Sequence, residues 1–330
     1  MPEVRKYLFI PGLAKAGTTF LFDQLARDED IFNIPKNKEL NYFNTNIESI
    51  SSAGFFSRFK TNDDSKIYID ASPTYLQSGQ QEVASRIKAV LSPEEISVII
   101  LLRSPVEAVY SHYLHDLKSH VARLHHNKMN RSDYRLYDRS VLKKYMSRRH
   151  LSIQKFSELF PGRVFGLHMS DLFGEGVSSR ISEIVGAKVS DFDSGKISNP
   201  GGWVPYYIYG GERGCEFYQD EVIYRVPPKA LVLVSNGRSE IKFDVSEEEA
   251  YRKLNLASTF TRSFVGSTKL FASAIDDYYK SCDILGMKPL PLELDGEVKF
   301  EAQTPSLSRD ILMQLTRHKD ASVRFNMSAT

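Results

Sequence analysis

The 330-residue chain lacks most features that assign a protein to a special class. It has two cysteines, Cys215 and Cys282, which are too few and too unpatterned for a disulfide framework or a zinc site. Its longest apolar runs fall well short of the roughly 18 residues of a membrane span, and Tyr7–Ile10 is too short for a signal peptide. The net charge is +2, so no overall positive field indicates a nucleic-acid partner. We therefore expect a cytoplasmic protein with no membrane span.

The composition, 42% hydrophobic and 25% charged, is that of an ordinary globular protein. Over the first 190 residues, apolar runs typical of strands alternate with helical periodicity, which favours an α/β fold. The predicted strands are 7–10, 67–69, 96–102 and 163–169, and the predicted helices are 18–27, 80–91, 178–185 and one that begins at Pro105. We expect a P-loop-type three-layer fold in which helices flank a central parallel sheet.

The amino-acid composition changes near residue 200, where turn residues and aromatics become frequent. Residues 230–235 and 240–243 resemble two strands around an Asn236-Gly237 hairpin, and 246–285 is largely helical in pattern. We predict a core domain over 1–200 and a mixed C-terminal elaboration over 201–330 that completes the fold.

The segment 118–149 holds ten Lys or Arg residues against two acids. It fits either a groove for an anionic polymer or a solvated helix face. His120, His125 and His126 within it lack a carboxylate at metal-ligand spacing, so we expect them to be solvated and expect no metal site.

The stretch IPGLAKAGTTF at 10–20 resembles a phosphate-binding loop with its lysine displaced. Gly12 and Gly17 have the spacing of G-x-x-x-x-G-K-[ST], but Thr18 occupies the lysine position and Lys15 is the lysine of the loop. Main-chain N–H groups at the start of the following helix would seat a phosphate, and the hydroxyls of Thr18 and Thr19 would add donors. A plain strand-to-helix turn is the alternative.

A nucleoside-triphosphate enzyme would also need an acidic residue to hold magnesium, commonly at the end of a second strand. The apolar run 96–102 ends instead in Arg103. A cation at that point suits a second anionic group of the ligand and not a metal ion. The loop and Arg103 together predict a ligand with two separated anionic groups.

Three further stretches, with the loop, carry a resemblance to a known family. They are PKNKELNYF at 35–43, IDASPTYL at 69–76 and LLRSPVEAVYSHYLH at 101–115. In order and spacing the four motifs resemble sulfotransferases that use 3'-phosphoadenosine-5'-phosphosulfate (PAPS), above all bacterial and glycan-modifying members. The resemblance covers about residues 1–190.

The resemblance implies specific roles. Lys15 would contact the bridging oxygen and the sulfuryl group, Gly17, Thr18 and Thr19 would cradle the 5'-phosphate, and Arg103 and Ser111 would bind the 3'-phosphate. The implied PAPS-binding residues are Lys15, Ala16, Gly17, Thr18, Thr19, Arg103 and Ser111.

Glu39 falls on the glutamate that serves as general base in many glycan-modifying members, so the implied catalytic residues are Glu39 and Lys15. Lys38 would contact PAPS or keep Glu39 ionised. A surface Lys-Glu pair is the alternative for these two residues. Further candidate contacts to acceptor or cofactor are Lys38, Tyr75, His112 and Trp203.

The sequence departs from the family pattern in two places. Ala71 stands where many glycan sulfotransferases have a lysine that orders the active site, a role left vacant or filled by Lys36 or Lys38. The glycine-rich element that closes over the 3'-phosphate has only a loose counterpart, NPGGW at 199–203 after Lys196.

The resemblance thus implies a PAPS-dependent sulfotransferase that needs no metal and acts on a hydroxyl or amine of a carbohydrate or lipid-linked sugar, with the acceptor pocket built by residues 201–330. The alternatives are a P-loop kinase that uses ATP and magnesium, and a degenerate sulfotransferase fold that only binds its ligand. Retention of Lys15, Glu39, Arg103 and Ser111 together argues against the last.

Overall fold

The computed structural model describes two compact units. The residues described are 5–77, 82–128, 146, 148–193, 195, 201–220, 222–236, 238–258, 263–292, 294–317 and 323–325. Unit 1 comprises Met1–His112, Lys143–Pro200 and Ser267–Gly296, and unit 2 comprises Tyr113–Leu142, Gly201–Gly266 and Glu297–Thr330. The units interleave along the chain, and the division into domains 1–200 and 201–330 stays a prediction.

Unit 1 is built on a five-stranded sheet in the order β2-β3-β1-β4-β5, with each neighbouring pair parallel. The strands are β1 (Lys6–Gly12), β2 (Phe32–Asn33), β3 (Ile67–Asp70), β4 (Ile96–Leu102) and β5 (Val164–His168). The helices of this unit are α1 (Thr18–Leu25), α2 (Ser52–Phe56), α3 (Val83–Val90), α5 (His150–Leu159), α6 (Val177–Val185) and α8 (Ala272–Ile284), and α4 (Pro105–His125) begins in it. The predicted α/β fold with helices on a central parallel sheet is confirmed.

The central strands are apolar because both of their faces are covered. All seven residues of β4 and the last six of β1 are buried. Such strands read as continuous apolar runs, which is why the sequence predicted 96–102 with the bounds that the structure has. The other predicted strands and helices of this unit also form, with ends that move by a few residues. β2 was missed because two residues show no periodicity.

Unit 2 consists of small sheets and helices with its own apolar core. Its three sheets have the orders β10-β9-β6, β13-β8-β7 and β11-β12. The strands are β6 (Tyr206–Tyr209), β7 (Cys215–Gln219), β8 (Val222–Val226), β9 (Leu231–Val234), β10 (Glu240–Lys242), β11 (Ser263–Ser267), β12 (Glu297–Glu301) and β13 (Val323–Phe325), and the helices are α7 (Glu247–Ser258) and α9 (Arg309–Arg317). The predicted antiparallel hairpin is present as β9 and β10, although Gly237 lies outside the described residues. The helical stretch predicted over 246–285 is interrupted by β11.

The basic segment lies partly outside the described residues, which omit 129–145 and 147. The prediction of three solvated histidines is wrong for two of them, since His120 is 4% exposed and His125 is 0% exposed. His125 stacks on the ring of Tyr207 with 5.8 Å between centroids. Burial, with Lys242 and Lys253 nearby, lowers the pKa of His125 to about 3. Helical periodicity alone did not reveal that this face of α4 packs inside unit 2.

Across the described ranges, no helix combines the length and apolar character needed to cross a membrane.

Candidate active site

The four motif segments meet at one edge of the sheet in unit 1. Each lies at or after the end of a strand: residues 12–17 (the glycine loop) begin with the last residue of β1, residues 38–44 (the Glu39 segment) come after β2, residues 71–76 (the β3 turn) follow β3, and Arg103 follows β4. Because the strands are parallel, their carboxyl ends share an edge, and that edge is where open α/β sheets bind ligands. The strand order places the glycine loop between the β3 turn and Arg103.

The glycine loop turns sharply from β1 into α1. Lys15 has φ 67° and Gly17, the residue before α1, has φ 92°. The N–H of Leu13 donates to the oxygen of Leu101 on β4 at 2.8 Å, which fixes the loop to the neighbouring strand. A Cβ at Gly17 would lie 2.8 Å from Cδ1 of Leu172, so this position needs glycine for both its backbone angle and its space.

The start of α1 has the properties of an anion seat. Within the described structure, no side chain caps the helix and no acidic residue lies in its first turn. The N–H groups of Thr18 and Thr19 belong to this first turn, whose donors have no partner within the helix. Thr18 is 4% exposed, while the side chains of Lys15 and Thr19 are half-buried. A phosphate group fits such a helix start.

Arg103 is bonded to the glycine loop. Its Nη1 donates to the main-chain oxygen of Lys15 at 3.1 Å, and its Nε lies 3.1 Å from Oε2 of Glu107. The side chain is 25% exposed, so the guanidinium keeps part of its donor surface open. Its binding to a 3'-phosphate stays a prediction.

The β3 turn is held by a buried carboxylate that the sequence analysis passed over. Asp70 is 0% exposed and accepts hydrogen bonds from Oγ of Ser72 at 2.6 Å and from Oη of Tyr75 at 2.7 Å. Burial raises the pKa of Asp70 to about 6, against the effect of these bonds. A carboxylate that ends a wholly buried strand requires such partners, and the serine and tyrosine two and five residues later were the signal that could have identified it.

Tyr75 and Ala71 are also fully buried. Tyr75 is 0% exposed with its hydroxyl bonded to Asp70, so it serves the β3 turn in this conformation. Its contact with acceptor or cofactor stays a prediction. Ala71 is 0% exposed as well, and the turn packs there without the family's lysine.

Glu39 lies in a loop with its side chain 44% exposed, and Nζ of Lys38 is 3.2 Å from its Oε1. Lys36 is instead directed elsewhere, since its Nζ donates to the oxygen of Ser57 at 2.9 Å. Of the two lysines that could replace the one missing at Ala71, Lys38 is therefore the one in contact with Glu39.

The remaining predicted residues lie on α4 and in unit 2. Ser111 and His112 are half-buried on α4, two turns after Pro105. Trp203, in unit 2, is 6% exposed, and Nζ of Lys118 lies 4.3 Å from its ring centroid. Lys196 and residues 199–200 lie outside the described residues.

Among the residues that the structure describes, no group of three or more His, Cys, Asp or Glu side chains could hold a metal ion.

Comparison with known proteins gave matches only among solved structures. No protein-family model matches the chain, and no curated protein matches it. The structure of a sulfotransferase from Alicyclobacillus acidocaldarius matches with a TM-score of 0.43 and 17% identity, over 60% of this chain and 87% of that one. A sulfotransferase domain from the curacin biosynthetic pathway matches with a TM-score of 0.38 and 15% identity, over 56% of this chain and 75% of that one. Likeness of this degree assigns no activity to this chain.

Proposed function

We propose that the chain is a PAPS-dependent sulfotransferase that moves a sulfuryl group to a hydroxyl or amine of a carbohydrate or lipid-linked sugar. One observation carries the proposal: Nη1 of Arg103 donates a hydrogen bond to the main-chain oxygen of Lys15 in the glycine loop. This places a fixed guanidinium beside a helix start suited to a phosphate. Two separate positive regions at the carboxyl edge of the sheet fit a donor with a 5'-phosphosulfate and a 3'-phosphate.

The chain's residues would divide the chemistry as follows. Main-chain N–H groups of Gly17, Thr18 and Thr19 bind the 5'-phosphate, and Arg103 with Ser111 binds the 3'-phosphate. Lys15 faces the bridging oxygen and stabilises the negative charge that develops there. Glu39, which is 44% exposed and thus open to solvent and to an acceptor, takes the proton.

The transfer is an in-line displacement. The acceptor oxygen or nitrogen forms a bond to sulfur while the bond from sulfur to the bridging oxygen breaks. The acceptor's proton passes to Glu39, and the products are a sulfated acceptor and adenosine 3',5'-bisphosphate. Catalysis then depends mainly on positioning and on neutralising the leaving group.

The test is a transfer assay with radiolabelled PAPS and a panel of glycans and glycolipids. We expect Glu39→Gln to bind adenosine 3',5'-bisphosphate like the parent and to lose most turnover, at least about 100-fold. Lys15→Ala should lose both binding and turnover. Glu48→Gln and Lys88→Ala change an exposed glutamate and an exposed lysine outside the four motif segments and serve as matched controls.

A thermal-shift measurement separates this proposal from a kinase. Adenosine 3',5'-bisphosphate should stabilise the protein, whereas ATP with magnesium should have little effect. Stabilisation by ATP with magnesium alone would reject the sulfotransferase assignment, and full turnover of Glu39→Gln on the true acceptor would reject Glu39 as the base.

A further inference from the structure

The β3 turn lies between the glycine loop and the Glu39 segment and is fixed to both. A Cβ at Gly12 would lie 3.3 Å from the oxygen of Pro73 and from Cδ1 of Leu76, so the first glycine of the loop packs directly on the turn. Asp70 ends β3 opposite Phe9 of β1 in the register of the sheet. Its carboxylate is therefore set close to the root of the glycine loop, yet it has no part in the chemistry proposed above.

Two hydrogen bonds tie the hydroxyls that donate to Asp70 to the Glu39 segment, and the main-chain N–H of Leu40 lies near enough to the carboxylate to lower its pKa. The N–H of Asn41 donates to Oγ of Ser72 at 2.9 Å, and the N–H of Phe43 donates to Oη of Tyr75 at 3.3 Å.

The direction of these bonds depends on the carboxylate. An ionised carboxylate only accepts hydrogen bonds, so it obliges the hydroxyls of Ser72 and Tyr75 to donate to it. Each hydroxyl has a single proton, and its oxygen is then left to accept an N–H of the Glu39 segment. Asp70 thus sets the polarity of the whole network. An amide at position 70 would present an N–H₂ donor to one of the hydroxyls and disturb this order.

Glu39 needs such support because its own side chain has little. With 44% of the side chain exposed, packing cannot fix it, and its position follows from the backbone on either side. Asn41, two residues after Glu39, is bonded to Asp70 through the hydroxyl of Ser72. A general base must be held within a fraction of an ångström of its working position.

We infer, on the basis of the proposed function, that Asp70 is a positioning residue that holds Glu39 in place through the Ser72 and Tyr75 hydroxyls. It touches neither acceptor nor donor. The pKa of Asp70, raised by burial to about 6, still leaves it ionised at neutral pH, as the network requires.

The first experiment measures the network without reference to activity. Hydrogen-exchange mass spectrometry of full-length Asp70→Asn should show about tenfold faster exchange over the Glu39 segment, since the charge-assisted bonds that order the Ser72 and Tyr75 hydroxyls are lost. Tyr75→Phe should produce a smaller increase in the exchange rate, confined to the end of the Glu39 segment that contains Phe43. Ser97→Ala is the control, because Ser97 is another buried polar residue of this sheet, bonded to the oxygen of Ile184 on α6. Unchanged exchange over the Glu39 segment in Asp70→Asn would overturn the inference.

The second experiment is a double-mutant cycle in kcat with Glu39→Gln. Asp70→Asn alone should lower kcat by about 10- to 100-fold and change the Kd for adenosine 3',5'-bisphosphate by less than about twofold. In the Glu39→Gln background the same substitution should cost almost nothing, because the group that it positions has already lost its function. An equal loss of kcat in both backgrounds would show a general structural defect and overturn the inference.

The two proposals fail in different ways. Parental turnover of Glu39→Gln would reject Glu39 as the base, and with it the positioning of a base by Asp70. Three results together support both proposals: faster exchange in Asp70→Asn, a loss of turnover in Glu39→Gln, and a smaller effect of Asp70→Asn on kcat in the Glu39→Gln background than in the parent.

Discussion

The guanidinium of Arg103 donates from Nη1 to the main-chain oxygen of Lys15 at 3.1 Å, so the end of β4 and the glycine loop hold one another. This bond orients the same guanidinium that would meet the 3'-phosphate. Because Arg103 would both hold the loop and contact the 3'-phosphate, a change at Arg103 should weaken the binding of a nucleotide with a 3'-phosphate more than the binding of a nucleotide without one.

Arg103→Gln should raise the Kd for adenosine 3',5'-bisphosphate by about 10- to 100-fold, the value of a charge-assisted hydrogen bond to a phosphate. The Kd for adenosine 5'-monophosphate should rise only a few-fold, through the loosened loop. Isothermal titration calorimetry measures both. Arg180→Gln is the matched control, since Nη2 of Arg180 also donates to a main-chain oxygen, that of Gly166, at 3.1 Å. Equal losses for the two nucleotides would contradict a contact with the 3'-phosphate.

Gly17→Ala should destabilise the protein by about 2–4 kcal/mol, because it adds a clash to a left-handed backbone angle. Gly17 has φ 92° and its added Cβ would lie 2.8 Å from Leu172. Gly162→Ala separates the two effects: Gly162 has φ 72° and, among the described residues, no heavy atom within 4 Å of the added Cβ. Its cost should be about 1 kcal/mol. Urea denaturation measures both variants, and similar losses would show that Leu172 moves aside.

The glycine loop and β4 could be predicted from the sequence because their signals are local. β4 is seven residues long and all of them except Ser97 are apolar, and the glycine loop is marked by two glycines and the helical pattern after Gly17. What the sequence could not show depends on partners far away in the chain. The burial of His125 depends on Tyr207, 82 positions later, and its ring contact appears only when unit 2 has folded.

For the candidate site too, the sequence predicted the residues that belong to motifs but not the contacts that hold them. Glu39 and Arg103 were identified by motif, yet their surroundings were not: the bond from Arg103 to the oxygen of Lys15 involves a main-chain atom that no motif contains. Asp70 was overlooked because its importance lies in hydrogen bonds to Ser72 and Tyr75 and through them to a segment some 30 residues earlier. Such networks depend on β2 and β3 pairing side by side, and β2 itself is too short to predict.

Asp70→Asn should change the pH dependence of stability in a defined direction. Burial raises the pKa of Asp70 from 3.8 to about 6 in the folded protein, so the folded state holds this proton to a higher pH than the unfolded state does. The stability that Asp70 contributes is therefore full below about pH 4 and falls as the pH rises to about 6, by about 3 kcal/mol in total. The asparagine variant lacks this pH-dependent contribution to stability.

The measurement is urea denaturation of the parent and Asp70→Asn at intervals between pH 4 and pH 7. Whatever the absolute cost of the substitution, the free energy of unfolding of the variant relative to the parent should increase from pH 4 through pH 6 and level off near pH 7. Parallel curves across that interval would show that the pKa of Asp70 is not raised.

Lys38→Met and Lys36→Met test which lysine compensates for Ala71. The ammonium of Lys38 lies 3.2 Å from Oε1 of Glu39, whereas that of Lys36 donates to the oxygen of Ser57. Because the pair with Glu39 is partly exposed, its loss is worth up to about 1 kcal/mol, so kcat/KM should fall by up to about fivefold in Lys38→Met. Lys36→Met should stay within about twofold of the parent, because methionine keeps most of the aliphatic stem and removes only a surface hydrogen bond. A transfer assay with saturating PAPS and varied acceptor measures both variants. A larger loss in Lys36→Met than in Lys38→Met would mean that Lys36 leaves Ser57 when substrate binds and takes the role of the missing lysine.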